Sequence, residues 1–558
     1  MRYGRMALGV LAVVAMLVLE TVLLGDRIAA DLRRITGGAP DAPGRAVVAA
    51  RAPSPPAEPA ANGAVAGVDL RPLDTCRDGA SCPVRLQVRL TGPGPVAARA
   101  QRPGQRVRTE LAHRAAARTR PRAPRAGARG RGPGVRGQAR RRRPHEERTT
   151  TMTRGRGPRR FREQRWLVDE ALRVRDVEFD QPRLGYHLGA VGDELAPAET
   201  AALRAGISKL ADYVPVVRSF AERRTRRAED AERRGHPDSA AVHHFAAAQM
   251  WSLACWPVWE DDALAHELDD RKNAAYLAWA RHAAHRVVRV DIPFGDATLP
   301  GWLHLPRGVE GPLPTVLAVG GMDAPREMLV ARTGSPWLAR GVAVLALDGP
   351  GQGEAAIRGV HVTPTAWAEA GDAVMDWIRG RRELDATRVV ATGTSFGSFW
   401  MSQLASTQPG LLGCSVALPC FEPGARTLFE QAPPTFKARH MWMAGLYDDE
   451  DAFDAMAARY DLRPHAEAMP VPWQIVGGTA DDLSPSSWVH EMARRSPSPT
   501  SVTLYTGARH SMTEASSVAF GPGWRTLQVE WLHDRLRGRT PVSEDLLVLP
   551  SGEVTGTR

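Results

Sequence analysis

From Phe161 to about His285, apolar positions recur at helical spacing. Leu203, Ile207, Leu210, Val214 and Val217 fall on one helix face. The run 246–256 is apolar almost all round, which predicts a buried helix, and a further helical run covers 272–285. After His285 the period changes. Segments 287–292 and 298–305 read as an antiparallel strand pair. Short apolar strands then alternate with helices: 315–319, 342–347, 388–392, 414–418, 473–476 and 501–505. That alternation predicts an α/β fold, a doubly wound and mostly parallel sheet. The expected organisation is a helical N-terminal cap domain over 161–286 and a catalytic domain over 287–540. A helical lid insertion is expected at about 422–470, and residues 541–558 read as a C-terminal tail. No internal repeat is evident.

The first third of the chain has a different character. Residues 6–19 are apolar, Glu20 interrupts them, and 21–24 resume. The run is shorter than a span of about 20 residues, so 1–30 read as a signal-like or anchor-like segment. Membrane association through residues 6–24 and export both stay open. Without them, the catalytic domain is expected in the cytoplasm. Residues 31–160 are rich in Ala, Pro and Arg and read as disordered. A small island at 68–90 carries Cys76 and Cys82 around an alternating run, the pattern of a hairpin that a disulfide could close.

Charge changes the picture of that region. Residues 99–165 hold 23 arginines and four acidic residues, a net of +19, so with +11 for the whole chain the remainder carries −8. The basicity belongs to one segment. Such a block suits nucleic acid or anionic lipid, but no aromatic residue interleaves the arginines between Arg99 and Arg160 for base stacking. A disordered tail, or sequence upstream of an alternative start at Met152, is the favoured reading. For the catalytic domain no nucleic-acid partner is expected. A small-molecule substrate is expected, and a homodimer is an open expectation.

Candidate chemistry begins at the strand 388–392, which runs into Gly393-Thr394-Ser395-Phe396-Gly397. This is a G-x-S-x-G nucleophile elbow, a tight strand-to-helix turn that exposes a serine hydroxyl. A pattern fixing three positions recurs by chance in roughly one chain in a few, so its value depends on the residues downstream. A serine needs a base, and the base needs a group that fixes its tautomer. The order Ser, acid, His is met further along the chain. Strand 473–476 leads to Asp481, four residues before Pro485, and strand 501–505 leads to His510. Asp482 reads instead as a helix cap. The oxyanion hole calls for the N–H of Phe396 and for one from the loop after 315–319, at Met322 or Gly321. Neither a cofactor nor a metal is expected. His243 and His244 are adjacent and point to different helix faces, and Cys414 and Cys420 lack metal-site spacing. Gly349-Pro350-Gly351-Gln352-Gly353-Glu354 reads as a strand-to-helix turn, since it lacks the Gly-Lys-Ser/Thr of a phosphate loop. Trp251, Trp256, Trp259 and Trp442 divide between core and pocket lining.

Gly320-Gly321-Met322-Asp323 with Arg326-Glu327, then Asp348-Gly349-Pro350-Gly351-Gln352-Gly353-Glu354, then the elbow, resemble the α/β-hydrolase superfamily. Within it they resemble the 2,6-dihydroxypseudooxynicotine hydrolase group and the related fermentation-respiration switch esterase-like proteins. The resemblance runs from about Phe161 to the C-terminus. It implies a serine hydrolase whose helical domain covers the site, cleaving an ester or a carbon–carbon bond beside a ketone. For carbon–carbon cleavage it implies an additional glutamate, for which Glu430 is the nearest match. Two departures stand out: Ser398, where the group often has glycine, and Arg326, which replaces a lysine.

Two other readings compete. A prolyl-oligopeptidase-type peptidase shares the elbow and the triad order but calls for a β-propeller before the core. An inactive hydrolase fold with a basic nucleic-acid or membrane-binding arm would make the triad residues a relic.

Overall fold

The computed structural model describes residues 65–72, 84–90, 96–100, 159–175 and 183–557 apart from 261, 310 and 333. The N-terminal apolar run, the cysteines at 76 and 82 and most of the arginine block lie outside the described residues. Three strands, β1 (Val65–Pro72), β2 (Val84–Leu90) and β3 (Val96–Ala100), form an antiparallel sheet of their own. β1 and β2 pair antiparallel within the stretch 31–160 expected to be disordered.

Six helices then precede the main sheet: α1 (Arg159–Arg175), α2 (Arg183–Gly189), α3 (Ala196–Gly206), α4 (Leu210–Arg233), α5 (Pro237–Cys255) and α6 (Asp262–His282). The five apolar positions from Leu203 to Val217 do not share one helix. Ile207 is extended (φ −112°, ψ 106°) and ends α3. The Asp212 carboxylate then accepts from the N–H groups of Ser208 and Lys209, at 3.1 Å each, and restarts the chain as α4. A first-turn acid that captures orphan donors outweighs the unbroken apolar spacing. Helix α5 is buried along nearly its whole length, as its all-round apolar sequence requires.

The main sheet has ten strands. Its seven central ones are parallel: β7 (Ala343–Leu347), β6 (Leu313–Val319), β8 (Leu384–Thr394), β9 (Cys414–Ala417), β10 (Trp473–Gly478), β11 (Thr500–Tyr505) and β12 (Glu544–Val548). At one end β4 (Arg286–Phe294) and β5 (Ala297–Leu305) form the expected antiparallel pair, and at the other β13 (Val554–Thr557) closes the edge antiparallel to β12. Residues 541–558, expected as a tail, therefore contribute two strands. β12 is only partly buried, with its apolar residues confined to Leu546, Leu547 and Val548, and β13 is exposed at all four positions.

Helices flank the sheet. α7 (Gly353–Ile357) and α8 (Ala366–Arg379) follow β7, and α9 (Phe396–Thr407) follows β8. The insertion between β9 and β10 is helical as predicted, with α10 (Pro434–Met443), α11 (Glu450–Ala457) and α12 (Arg463–Glu467). α13 (Ser487–Arg495) precedes β11, and α14 (Ser516–Phe520) and α15 (Trp524–Leu536) follow it. Sequential β6 and β7 lie side by side, whereas β8 lies on the other side of β6. Strand order reverses there, and the loops leaving β6 and β8 diverge at the carboxyl edge to open a crevice.

Candidate active site

The site sits at that reversal. Val319 pairs with Gly393, so the loop after β6 begins level with the elbow after β8. Ser395 has φ 56° and ψ −131°, the strained conformation that lifts a serine out of a strand-to-helix turn. Glycine flanks it for steric reasons. A Cβ on Gly393 would lie 2.1 Å from the Gly397 carbonyl oxygen, and one on Gly397 would lie 2.4 Å from that of Gly320. Ser398 serves the framework. Its hydroxyl oxygen, fully buried, accepts from the Cys420 N–H at 3.0 Å and ties α9 to the loop after β9.

The structure brings the three widely separated side chains together. Ser395 Oγ lies 2.8 Å from His510 Nε2, and His510 Nδ1 lies 2.8 Å from Asp481 Oδ2. Neighbouring strands β10 and β11 carry the acid and the imidazole, and their loops are cross-linked by Ala480 N–H to the Ala508 carbonyl at 3.0 Å. Asp481 also accepts from the N–H groups of Leu483 (2.9 Å) and Ser484 (3.0 Å) through its other oxygen. Neither Asp481 nor Asp482 caps the following helix α13, whose first turn has no side-chain cap. Asp482 holds the histidine loop instead, pairing with Arg509 at 2.6 Å and accepting from the His510 N–H at 3.2 Å. Burial lowers the basicity of His510, but the carboxylates of Asp481, Asp482 and Asp323 outweigh it and hold the imidazole above its ordinary value.

Opposite the hydroxyl lies the Gly321–Met322 loop. A Cβ on Gly321 would fall 2.7 Å from Ser395 Cβ, so this backbone lies directly against the elbow serine. Phe396, next to the serine, buries its ring among Phe399, Trp400, Phe429, His440 and Tyr460.

A cleft reaches this loop. Its walls include Ser252, Trp256 and Val258 of the helical segment, Met322 and Asp323, Gln352, and Arg439 and Trp442 of α10. Of the four tryptophans considered, Trp256 and Trp442 line it, while Trp251 and Trp259 pack in the cores. Trp256 Nε1 donates to Asp323 Oδ1 at 2.7 Å. The basic residues of α10 divide. Lys437 is paired with Glu450 (2.7 Å) and Asp454 (2.6 Å), His440 is buried, and Arg439 stacks on Trp442 at 4.4 Å.

Glu430 is not brought to the hydroxyl. It is exposed on a π-helical turn (Thr427–Gln431), and its charge acts on Arg160, while the preceding Phe429 turns inward against Phe396.

Beneath the cleft is a buried charge node that the sequence only hinted at. Arg326 meets Asp348 at 2.8 Å, Glu327 at 3.1 Å and also Glu354, with its Nη2 donating to Asn273 Oδ1 at 2.9 Å. Lys272, also buried, adds Asp269 at 2.7 Å and Glu327 at 3.4 Å. Desolvation opposes the charge on Arg326, but the surrounding carboxylates raise its pKa, and Lys272 is raised by the same balance. The node fastens α6 to the loop after β6 and the turn after β7.

His243 and His244 diverge as expected. His243 Nδ1 lies 2.7 Å from Arg224 Nη1, and His244 faces Glu232 at 3.2 Å. Glu232, His244 and His282 bring three ligand-type atoms together. Arg281 and His282 both pair with the same Glu232 oxygen, at 3.0 Å each. Cys414 and Cys420 are buried free thiols, and Cys255 is partly buried. Among the described residues no helix is long and apolar enough to cross a membrane.

A parallel sheet with the elbow after β8, an acid after β10 and a histidine after β11 is the α/β-hydrolase fold. The chain is an α/β-hydrolase, and it is similar to the FrsA-like esterases. The Esterase FrsA-like family profile matches residues 219–446. Alpha/beta hydrolase xenA of Xenoacremonium sinensis is 27% identical over 250 residues, 43% of this chain and 58% of the relative. Esterase FrsA of Escherichia coli O139:H28 is 28% identical over 242 residues, 41% of this chain and 55% of the relative. The match thus spans little more than half the length of these curated relatives. Among solved structures, the 2,6-dihydroxy-pseudo-oxynicotine hydrolase superposes with a TM-score of 0.54 at 20% identity, over 64% of this chain and 97% of that one.

Proposed function

We propose that this chain is a serine esterase acting through an acyl-enzyme on a small acyl or aromatic ester. The observation that carries this reading is the continuous relay from Ser395 Oγ through His510 to Asp481, with 2.8 Å at each step. Ser395 Oγ attacks the ester carbonyl while His510 Nε2 takes its proton, and Asp481 stabilises the imidazolium. The N–H groups of Met322 and Phe396 receive the oxyanion, each donor contributing about 10²–10³ in rate. Collapse expels the alcohol, which takes the proton from His510. Water then attacks the acyl-enzyme with His510 again as base, releasing the acid and restoring Ser395. The apolar part of the substrate lies against Trp256, Met322 and Trp442.

Ester cleavage is favoured over cleavage beside a ketone by the position of Glu430, which is exposed on its turn. The helices α1–α6 that precede the sheet, where a peptidase of the prolyl-oligopeptidase type would carry a β-propeller, favour the esterase over that alternative.

The test pairs wild type with Ser395→Ala on aryl esters of two to eight carbons and on β-diketones, alongside a fluorophosphonate probe. Ester turnover and labelling, both lost in Ser395→Ala, are expected. Undiminished labelling of the variant would remove Ser395 as the nucleophile, and diketone turnover without ester turnover would reverse the choice of bond.

A further inference from the structure

We infer that Gln352 is a positioning residue that aims the oxyanion-binding N–H groups of the Gly321–Met322 loop, an inference that rests on the esterase reading. Its side-chain Nε2 donates to two successive carbonyls, Gly320 at 2.8 Å and Gly321 at 3.1 Å. Its Oε1 accepts from the Gly349 N–H at 3.2 Å. Two carbonyls demand the NH₂ group and an N–H demands the oxygen, so the amide can stand only one way round.

A peptide unit is planar and trans, with its N–H directed opposite its C=O. Drawing the Gly320 and Gly321 carbonyls toward Gln352 therefore turns the N–H groups of Gly321 and Met322 the other way. The loop has little means of holding that orientation itself. Two glycines in succession carry no side chain to restrict them, and bulk is excluded at Gly321 by Ser395. A brace from outside is required.

Gln352 is well placed to be one. It is buried, and the turn that carries it is itself fixed: Gly351 has φ 84° and Gly353 φ 36°, and the Glu354 N–H donates to Asp348 at 3.2 Å. Asp348 in turn binds Arg326 at 2.8 Å, five residues beyond Gly321. One turn thus grips the loop at both ends. Preorganised donors stabilise a transition state because no reorganisation is needed when charge develops. Freed of Gln352, the loop would have to order itself during the reaction.

The experiment uses the full chain with Gln352→Met, which keeps length without hydrogen bonds, and Gln352→Glu, which keeps size and loses donors on ionisation. Each is assayed for kcat and KM on an aryl ester and for binding of a trifluoromethyl ketone as transition-state analogue. The expected result for Gln352→Met is a kcat at least about tenfold lower, below the full cost of a lost donor. KM should change less than about twofold, analogue affinity should fall in parallel with kcat, and the His510 limb of the pH profile should stay in place. Gln352→Glu should regain kcat relative to wild type as its carboxyl is protonated. Should Gln352→Met not fold, that pH-dependent recovery decides the matter alone. Unchanged kcat and analogue affinity, or a rise in KM alone, overturns the inference. Wild-type protein that turns over no ester would instead overturn the esterase reading.

Discussion

The backbone of Gly321 lies so close to Ser395 that a Cβ added to it would stand 2.7 Å from the serine Cβ and 3.2 Å from its hydroxyl oxygen. The Thr394 carbonyl oxygen, at 3.0 Å, blocks the remaining direction. All three obstacles belong to the strained elbow, which cannot yield without moving Ser395. Gly321→Ala is expected to lower kcat on an aryl ester by about 10²-fold or more, the scale of losing one oxyanion donor. The sheet does not depend on this contact, so the circular dichroism spectrum should match wild type. A variant with kcat within threefold of wild type would show that the loop does not face the reacting carbonyl.

The His510–Asp481 contact makes a prediction about pH. Burial disfavours the imidazolium, and Asp481 at 2.8 Å together with Asp482 and Asp323 more than reverses that, so the histidine titrates above its ordinary value. Activity requires the neutral base and should fall as pH drops through that raised value. In Asp481→Asn the burial remains and the nearest negative charge is gone. The acid limb of kcat/KM should then shift to lower pH while kcat falls by about 10⁴, as expected for a wrongly held tautomer. A limb that stays in place would mean another group titrates there.

Arg326 is fully buried among Asp348, Glu327 and Glu354, so its removal leaves carboxylates without a counter-charge. Arg326→Ala is expected to cost about 3–5 kcal/mol of stability, the range for breaking a buried ion pair. Arg326→Lys should recover only part, since one ammonium cannot span Asp348, Glu354 and Asn273 from a planar fork. Urea midpoints of the three proteins measure this. Equal stability for the lysine variant would show that charge alone, without the fork, holds the node.

The parallel strands, and the three side chains that meet at the elbow, were legible in sequence because each rests on a local signal. Buried strands are short apolar runs, and Ser395, Asp481 and His510 each follow one. What was not legible depends on distant partners. The break at Ile207 is decided by Asp212 capturing Ser208 and Lys209. β12 is apolar only over its last three residues, β13 has little apolar character, and both exist because β11 offers an edge. Ser398, a departure from the expected glycine, acquires its meaning only from Cys420, 22 residues away. Gln352 lay in plain view inside a turn motif, but a glutamine's role depends on which carbonyls lie within its reach. The expected role of Glu430 came from the resemblance alone, and a match in sequence says nothing about which side of a turn faces the serine.

Acid should weaken the fold through His440. Its ring is buried beside Phe396 (4.6 Å), Phe429 (5.0 Å) and Phe453 (5.9 Å), and its Nε2 lies 2.9 Å from the Tyr460 hydroxyl. Burial, aided by the neighbouring Arg439 charge, lowers its pKa to about 3. A histidine depressed in the folded state stabilises the protein above the unfolded value of about 6.5, and that contribution is lost as pH falls toward the folded value. At pH 5 the loss from this residue is on the order of 2 kcal/mol. His285 and His304, also lowered by burial, act in the same direction and supply a background slope. His440→Phe leaves the Tyr460 hydroxyl short of a partner and should be less stable than wild type at pH 7.5. Its further loss between pH 7.5 and pH 5 should nevertheless be smaller by about 2 kcal/mol, because nothing at this position is left to protonate. Urea unfolding at the two pH values separates the terms. Parallel pH slopes in both proteins would mean that His440 accepts its proton inside the core without cost.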